Sequence, residues 1–166
     1  YVFENIKASV DEPFVANPDD NLSKINFQLI SVHYPDSPVQ EIAGDYSKIT
    51  KRLLEFESFG DKIKNGKYID EIVSLNKDDS TLNKALLIYD YFINNIKWDG
   101  NFDFVSDKKL KELIKNGKGD VAEINLNYIS ALNHAGVITY PVILSSRGNG
   151  TLHPIYADYS HFDYVV

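Results

Sequence analysis

Residues 119–136, GDVAEINLNYISALNHAG, constrain the fold more than any other stretch of this 166-residue chain. Asp120 and Glu123 stand three apart. At that spacing an N-cap carboxylate accepts from the third helical amide while a glutamate reaches back to the amide of the cap. Gly136 supplies the stop. Between them Val121, Ile124, Tyr128, Leu132 and Ala135 recur on one side, and Ala122, Leu126 and Ile129 cover another. An apolar arc this wide needs partners on more than one side. The pattern therefore predicts a central buried helix at about 120–135, with the rest of the chain packed around it.

The flanking segments supply candidate partners. Ser80 or Asp79 can cap a helix that ends near Asn95, with Leu82, Ala85, Tyr89, Phe92, Ile93 and Ile96 as its buried stripe. Val39, Ile42, Tyr46, Ile49, Leu53 and Phe56 recur at threes and fours, which predicts a helix from 38 to about 57, weakened near Gly44. A short helix is expected over 68–75. Another, capped by Ser106, carries Leu110, Leu113 and Ile114 and stops at Gly117. Strands are expected at 1–6, at 25–34 from the alternation of Ile25, Phe27 and Leu29, at 137–144 with Pro141 forcing an edge or bulge, and at 162–166. Residues 11–20 read as an extended loop and 147–150, RGNG, as a turn.

Composition bounds the class. Hydrophobic residues make up 43% and aromatics 13%, enough for a sizeable core. The net charge of −7 argues against nonspecific nucleic-acid binding, which needs a basic surface. The one basic run, Lys108, Lys109, Lys111, Lys115 and Lys118, reads as the solvated face of a short helix. With no cysteine, neither a disulfide nor a Cys-type metal site can form. His33, His134, His153 and His161 show no metal-ligand spacing, so no metal and no cofactor is expected. No stretch approaches the roughly 20 apolar residues of a membrane-spanning helix, so no membrane insertion is expected.

Several segments together resemble the transglutaminase-like superfamily, whose fold is related to papain. They are EPFV at 12–15, YDYFINNIKW at 89–98, GDVAEINLNYISALNHAGV at 119–137 and YPVILSSRGNG at 140–150. The likeness is closest to bacterial proteins in which a β-rich domain precedes the transglutaminase-like one. It implies an α+β fold, a papain-like core with several helices packed on an antiparallel sheet. It also implies that residues 1–34 are the tail of a preceding β-rich domain or linker strands. Residues 35–166 are then a transglutaminase-like domain cut short at its C-terminal end. An exported bacterial protein, periplasmic or on the cell surface, is the setting the resemblance favours.

In that family a cysteine opens the central helix, where the macrodipole favours thiolate. A histidine on the neighbouring strand moves the proton, and an aspartate on the next strand orients it. Carried over, the cysteine position is Val121 and the histidine position is about Tyr164, with Asp163 just before it. The orienting aspartate would lie beyond Val166. Valine has no nucleophile, and a phenol with a reference pKa of about 10 is a poor base near neutrality. The expectation is a non-catalytic domain, either a scaffold or a module binding peptide, protein or glycan beside flanking domains of the same chain. The alternative is an amide hydrolase or acyl transferase using groups other than cysteine. The candidate cleft is Trp98, Asp120, Val121, Asp163 and Tyr164. For Asp120 the capping box, and for Trp98 and Val121 core packing, are the competing explanations. For Asp163 and Tyr164, one of the pair should face the core.

Overall fold

The computed structural model describes residues 4–5, 8, 13–15, 17–25, 27, 29–41, 44–155 and 157–166. Helices and short strands are mixed, an α+β arrangement. The strands β1 (Ser31–Val32) and β2 (Gln40–Glu41) are followed by helix α1 (Tyr46–Glu55). Two 3-10 turns, Lys62–Lys64 and Gly66–Glu71, lead to α2 (Thr81–Asn95) and β3 (Lys97–Trp98). Helix α3 (Leu110–Asn116), strand β4 (Lys118–Gly119) and helix α4 (Val121–His134) come next. Strands β5 (Ile143–Leu144) and β6 (Tyr164–Val165) complete the order.

Helix α4 is the axis of the core. The Glu123 N–H donates to Asp120 Oδ1 at 2.7 Å, and the Asp120 N–H donates to Glu123 Oε2 at 3.1 Å, so both arms of the capping box are made. Its first half contributes Val121, Ala122 and Leu126 to an apolar cluster with Ile49, Leu53, Phe59, Ala157 and Val165. Its second half contributes Ala131 and Leu132 to a cluster with Ile69, Ile88, Phe92, Ile96, Leu110 and Leu113. Leu126 and Ile88 are wholly buried. The two 3-10 turns, α2 and β6 all pack on α4. The Gly66 turn comes so close that a Cβ there would lie 2.0 Å from the Ser130 carbonyl oxygen.

The edges of the elements show where periodicity misleads. The 38–57 stripe becomes helix only from Tyr46, capped by Asp45. Gln40 and Glu41 pair with β1 instead, and Val39 and Phe56 are exposed. Strand 25–34 shrinks to Ser31–Val32, and Ile25, Phe27 and Leu29 face solvent, since no second layer covers them among the described residues. The expected strand at 1–6 lies largely outside those residues. So does Glu12 of EPFV, while Phe14 is fully exposed in a turn. Ser106 does not cap α3; that helix starts from Lys109, whose N–H donates to Glu112 Oε2 at 3.2 Å. Gly117 stops it at φ +64°.

Helix α2 ends at Asn95 and is capped by Ser80, but its buried face is rotated. Ile88, Phe92 and Ile96 enter the core, while Leu82, Tyr89 and Ile93 are exposed. The helix is apolar on nearly every side, so its sequence does not choose a face; contact with α4 does. The single antiparallel sheet is also replaced. Among the described residues the strands form three two-stranded ribbons, β1–β2 and β5–β6 antiparallel and β3–β4 parallel. The apolar run 137–144 pairs only at its end, with Ile143 opposite Val165 and Leu144 opposite Tyr164, after Pro141 has interrupted it.

Candidate functional site

Three of the five cleft residues meet at the head of α4. Trp98 arrives at the end of β3, held against β4 by the Asp99 N–H donating to the Gly119 carbonyl at 2.9 Å. The chain turns through Gly100, at φ +99°, where an L side chain would be strained. The Val121 N–H, first of the helix, donates to the Asn101 carbonyl, and the Trp98 indole N–H donates to the same oxygen at 2.8 Å. One carbonyl thus ties the indole to the helix start. From the other side, Asn125 Nδ2 donates to the Val165 carbonyl at 2.7 Å and fixes β6 along α4.

These ties enclose an open recess of about 280 Å³, lined by Trp98, Phe102, Val121, Ile124, Asn125 and Tyr164. The rings run in a row. Trp98 and Phe102 meet edge to face at 5.2 Å, and Phe102 and Tyr164 lie tilted at 5.8 Å. Trp98 and Phe102 are each about half exposed, at 53% and 52%. Val121 forms the floor and is buried. The lining contains no Cys, Ser, Thr or His, and its one hydroxyl is the Tyr164 phenol. Such a surface can stack, and can hydrogen-bond through Asn125 and Tyr164. It offers no activated nucleophile.

Asp163 and Asp120 do other work. Asp163 turns toward the 145–150 loop, accepting from the Ser146 N–H at 2.7 Å and the Ser146 hydroxyl at 2.5 Å. Strand alternation sends Tyr164 to the recess and Asp163 away from it. Asp120 caps α4 and is not part of the recess lining. Burial pushes its carboxyl above the ordinary aspartate value, and Glu123, Asp103 and Asp99 push the same way against the lowering effect of its bond from the Glu123 amide. Glu123 is itself buried, with Lys108 Nζ at 2.7 Å from its Oε1. The hydrogen bond to Glu123, opposed by desolvation and helped by the charges of Glu123, Asp120 and Asp99, raises the Lys108 ammonium above its usual value.

Phe102 and Asn125 are recess residues that periodicity did not single out, and Ile124, which periodicity assigned to the buried stripe of the central helix, lines the recess beside them. Ile124 and Asn125 stand three and four after Val121, the spacing that puts residues on one helical face. Phe102 follows the turn DGN, and that placement of an aromatic is the only signal it carries.

The histidines lie elsewhere. His134 Nε2 is 2.7 Å from Asp70 Oδ2 at the far end of α4, and His153 Nδ1 accepts from the Ile155 N–H at 3.2 Å. His161 sits in the 3-10 turn Tyr159–His161. Among the described residues no group of three or more His, Cys, Asp or Glu side chains is gathered to hold a metal. No helix among them is long and apolar enough to cross a membrane. A larger groove of about 500 Å³ lies between the 57–71 segment and the start of α3. In and beside it, Lys62 Nζ donates to the Asp107 carbonyl at 2.5 Å, Lys64 pairs with Asp61 at 3.0 Å, and Lys111 stands 5.2 Å over the Tyr68 ring. Comparison with family models, with curated proteins and with solved structures returns no match for this chain.

Proposed function

We propose that this chain is a non-catalytic domain of transglutaminase-like type, serving in a larger exported bacterial protein as a module that binds peptide or glycan in the recess at the head of α4. One observation carries the reading. The position that the resemblance assigns to a nucleophile is Val121, on the floor of an open recess walled by Trp98, Phe102 and Tyr164. A filled helix head would favour a scaffold; an open aromatic recess suits a ligand. Aromatic faces stack on sugar rings and on flat or apolar peptide side chains.

Trp98 is the only tryptophan, so indole fluorescence reads the recess directly. Titration with peptide and oligosaccharide panels is expected to give a saturable change that Trp98→Ala removes. Hydrolysis of peptide amides by the unmodified chain, blocked by a serine-directed inhibitor, would overturn the non-catalytic reading.

The family register has its own test. In Val121→Cys with Tyr164→His, a thiol at the first helical position and an imidazole share one recess. The thiol pKa, read from the pH dependence of iodoacetamide alkylation, is expected to fall below the free value of about 8.5. A value at or above that would overturn the register.

A further inference from the structure

Helix α2 carries a second apolar stripe, which the fold leaves uncovered. Leu82, Leu86, Tyr89 and Ile93 follow one another at intervals of four, three and four, so they stand in one line along the helix. That line lies about a quarter turn from the buried one, Ile88, Phe92 and Ile96. Its four side chains are between 49% and 68% exposed, and none belongs to either apolar cluster. Asn83 and Asp90, both exposed, run along one flank of the stripe. The other flank, Ala85 and Phe92, turns into the protein. Four-three-four is the seam spacing of paired helices, in which side chains of one helix fill the gaps of the other. None of these residues lines the recess at the head of α4.

From this face we infer that α2 is the contact of a symmetric dimer, its stripe packed against the same stripe of a second copy of this chain with the two helices antiparallel. A two-fold axis passing between residues 86 and 89 sets Leu82 against the partner's Ile93 and Leu86 against the partner's Tyr89, so all four side chains are covered. The same axis brings the Asn83 amide, as donor, to the partner's Asp90 carboxylate, and symmetry makes that contact twice. A parallel pair gives no such match, because Asp90 then meets the flank formed by the partner's Ala85 and Phe92. The size of the face also fits a second copy. Together with Asn83 and Asp90, the four stripe residues expose roughly 500 Å², so a pair covers about 1,000 Å², the lower end of specific interfaces. A contact of that size is weak and reversible. In dilute solution the chain is a monomer, and a charge placed on the stripe leaves its folding stability unchanged.

Sedimentation equilibrium of the whole chain, from about 1 μM to about 1 mM, tests this directly. A reversible monomer–dimer equilibrium is expected, with a Kd on the order of 10–100 μM. Leu86→Glu with Tyr89→Glu is expected to weaken it at least about tenfold, since the seam then buries charges without partners. Its far-UV circular dichroism should match the parent, both positions being exposed. The orientation has a separate readout, because the chain contains no cysteine and an engineered thiol reports a single contact. Leu86→Cys and Tyr89→Cys chains, one of them mass-labelled, are mixed at high concentration and oxidised. Disulfides are expected chiefly between the two variants, and few should form in either variant alone. A chain that stays monomeric up to 1 mM overturns the inference. So does a dimer that the two glutamates do not weaken, which would place the contact on another face. Disulfides that join like with like would mean parallel helices and overturn the antiparallel pairing.

Discussion

Asp120 is worth attention as a single residue because two of its effects have opposite sign. Its carboxylate satisfies the Glu123 amide, and an N-cap of this kind stabilises by about 1 kcal/mol. Its charge is disfavoured by burial and by the neighbouring carboxylates. The folded pKa is thus raised above the unfolded value near 3.8. The ionised form costs stability above the folded pKa, and the cost is relieved as the pH falls through it and below 3.8. Asp120→Asn keeps a capping oxygen and removes the charge, so at pH 7 it should equal or exceed the parent in urea denaturation. That advantage should shrink on acidification. Asp120→Ala loses the cap and should cost about 1 kcal/mol at pH 7.

At the scale of elements, α2 and the Gly66 turn show how contact with α4 selects among options that the sequence leaves open. Ile88 is wholly buried and Leu82 is 68% exposed, although both are aliphatic residues of one helix. Ile88→Ala should cost about 2–5 kcal/mol in chemical denaturation. Leu82→Glu should stay within about 0.5 kcal/mol of the parent. A reversed ranking would return the buried face of α2 to the one expected from periodicity. Gly66 reads in the sequence as a turn residue in Asn65-Gly66. Its tighter constraint is backbone-to-backbone contact with α4, since the atom that an added Cβ would meet is the Ser130 carbonyl oxygen. Neither backbone can yield as a flexible side chain would, so Gly66→Ala should destabilise by about 2–3 kcal/mol, measured by thermal or urea unfolding.

Over the whole molecule, the two apolar clusters share α4 and little else. Val121, Ala122 and Leu126 belong to one, Ala131 and Leu132 to the other. Neither cluster can come apart without exposing half of that helix, so the two should unfold together. Trp98 fluorescence, which reports the head of α4, and far-UV circular dichroism, which reports all the helices, should give coincident urea transitions. Ile88→Ala and Leu126→Ala should each move both signals by the same amount. A separate early fluorescence transition would mean that the helix head opens independently. The segment before α1 contributes differently: among the described residues none before Ile49 is buried. It meets the rest through polar contacts such as the Thr151 hydroxyl donating to Asp20 Oδ2 at 2.7 Å and Asn17 Nδ2 donating to the Gly148 carbonyl.

The local chemistry of α4, α2 and α3 was legible in the residues themselves. The capping box at Asp120 and Glu123, the Ser80 cap and the left-handed stop at Gly117 depend on neighbours within one helical turn, so sequence spacing is enough to specify them. That an apolar helix should be buried on several sides also followed from its composition. Tertiary structure alone decided which face of α2 enters the core, how few residues of the apolar runs at 25–34 and 137–144 pair as strands, and that Asp163 serves Ser146 while Tyr164 serves the recess. It also brought Phe102 between Trp98 and Tyr164, residues 66 apart in sequence. The reason is one of range. A cap or a turn is fixed by atoms a few bonds away, whereas a choice between two equally apolar faces has no local energy difference and is settled by the surface that arrives to cover one of them.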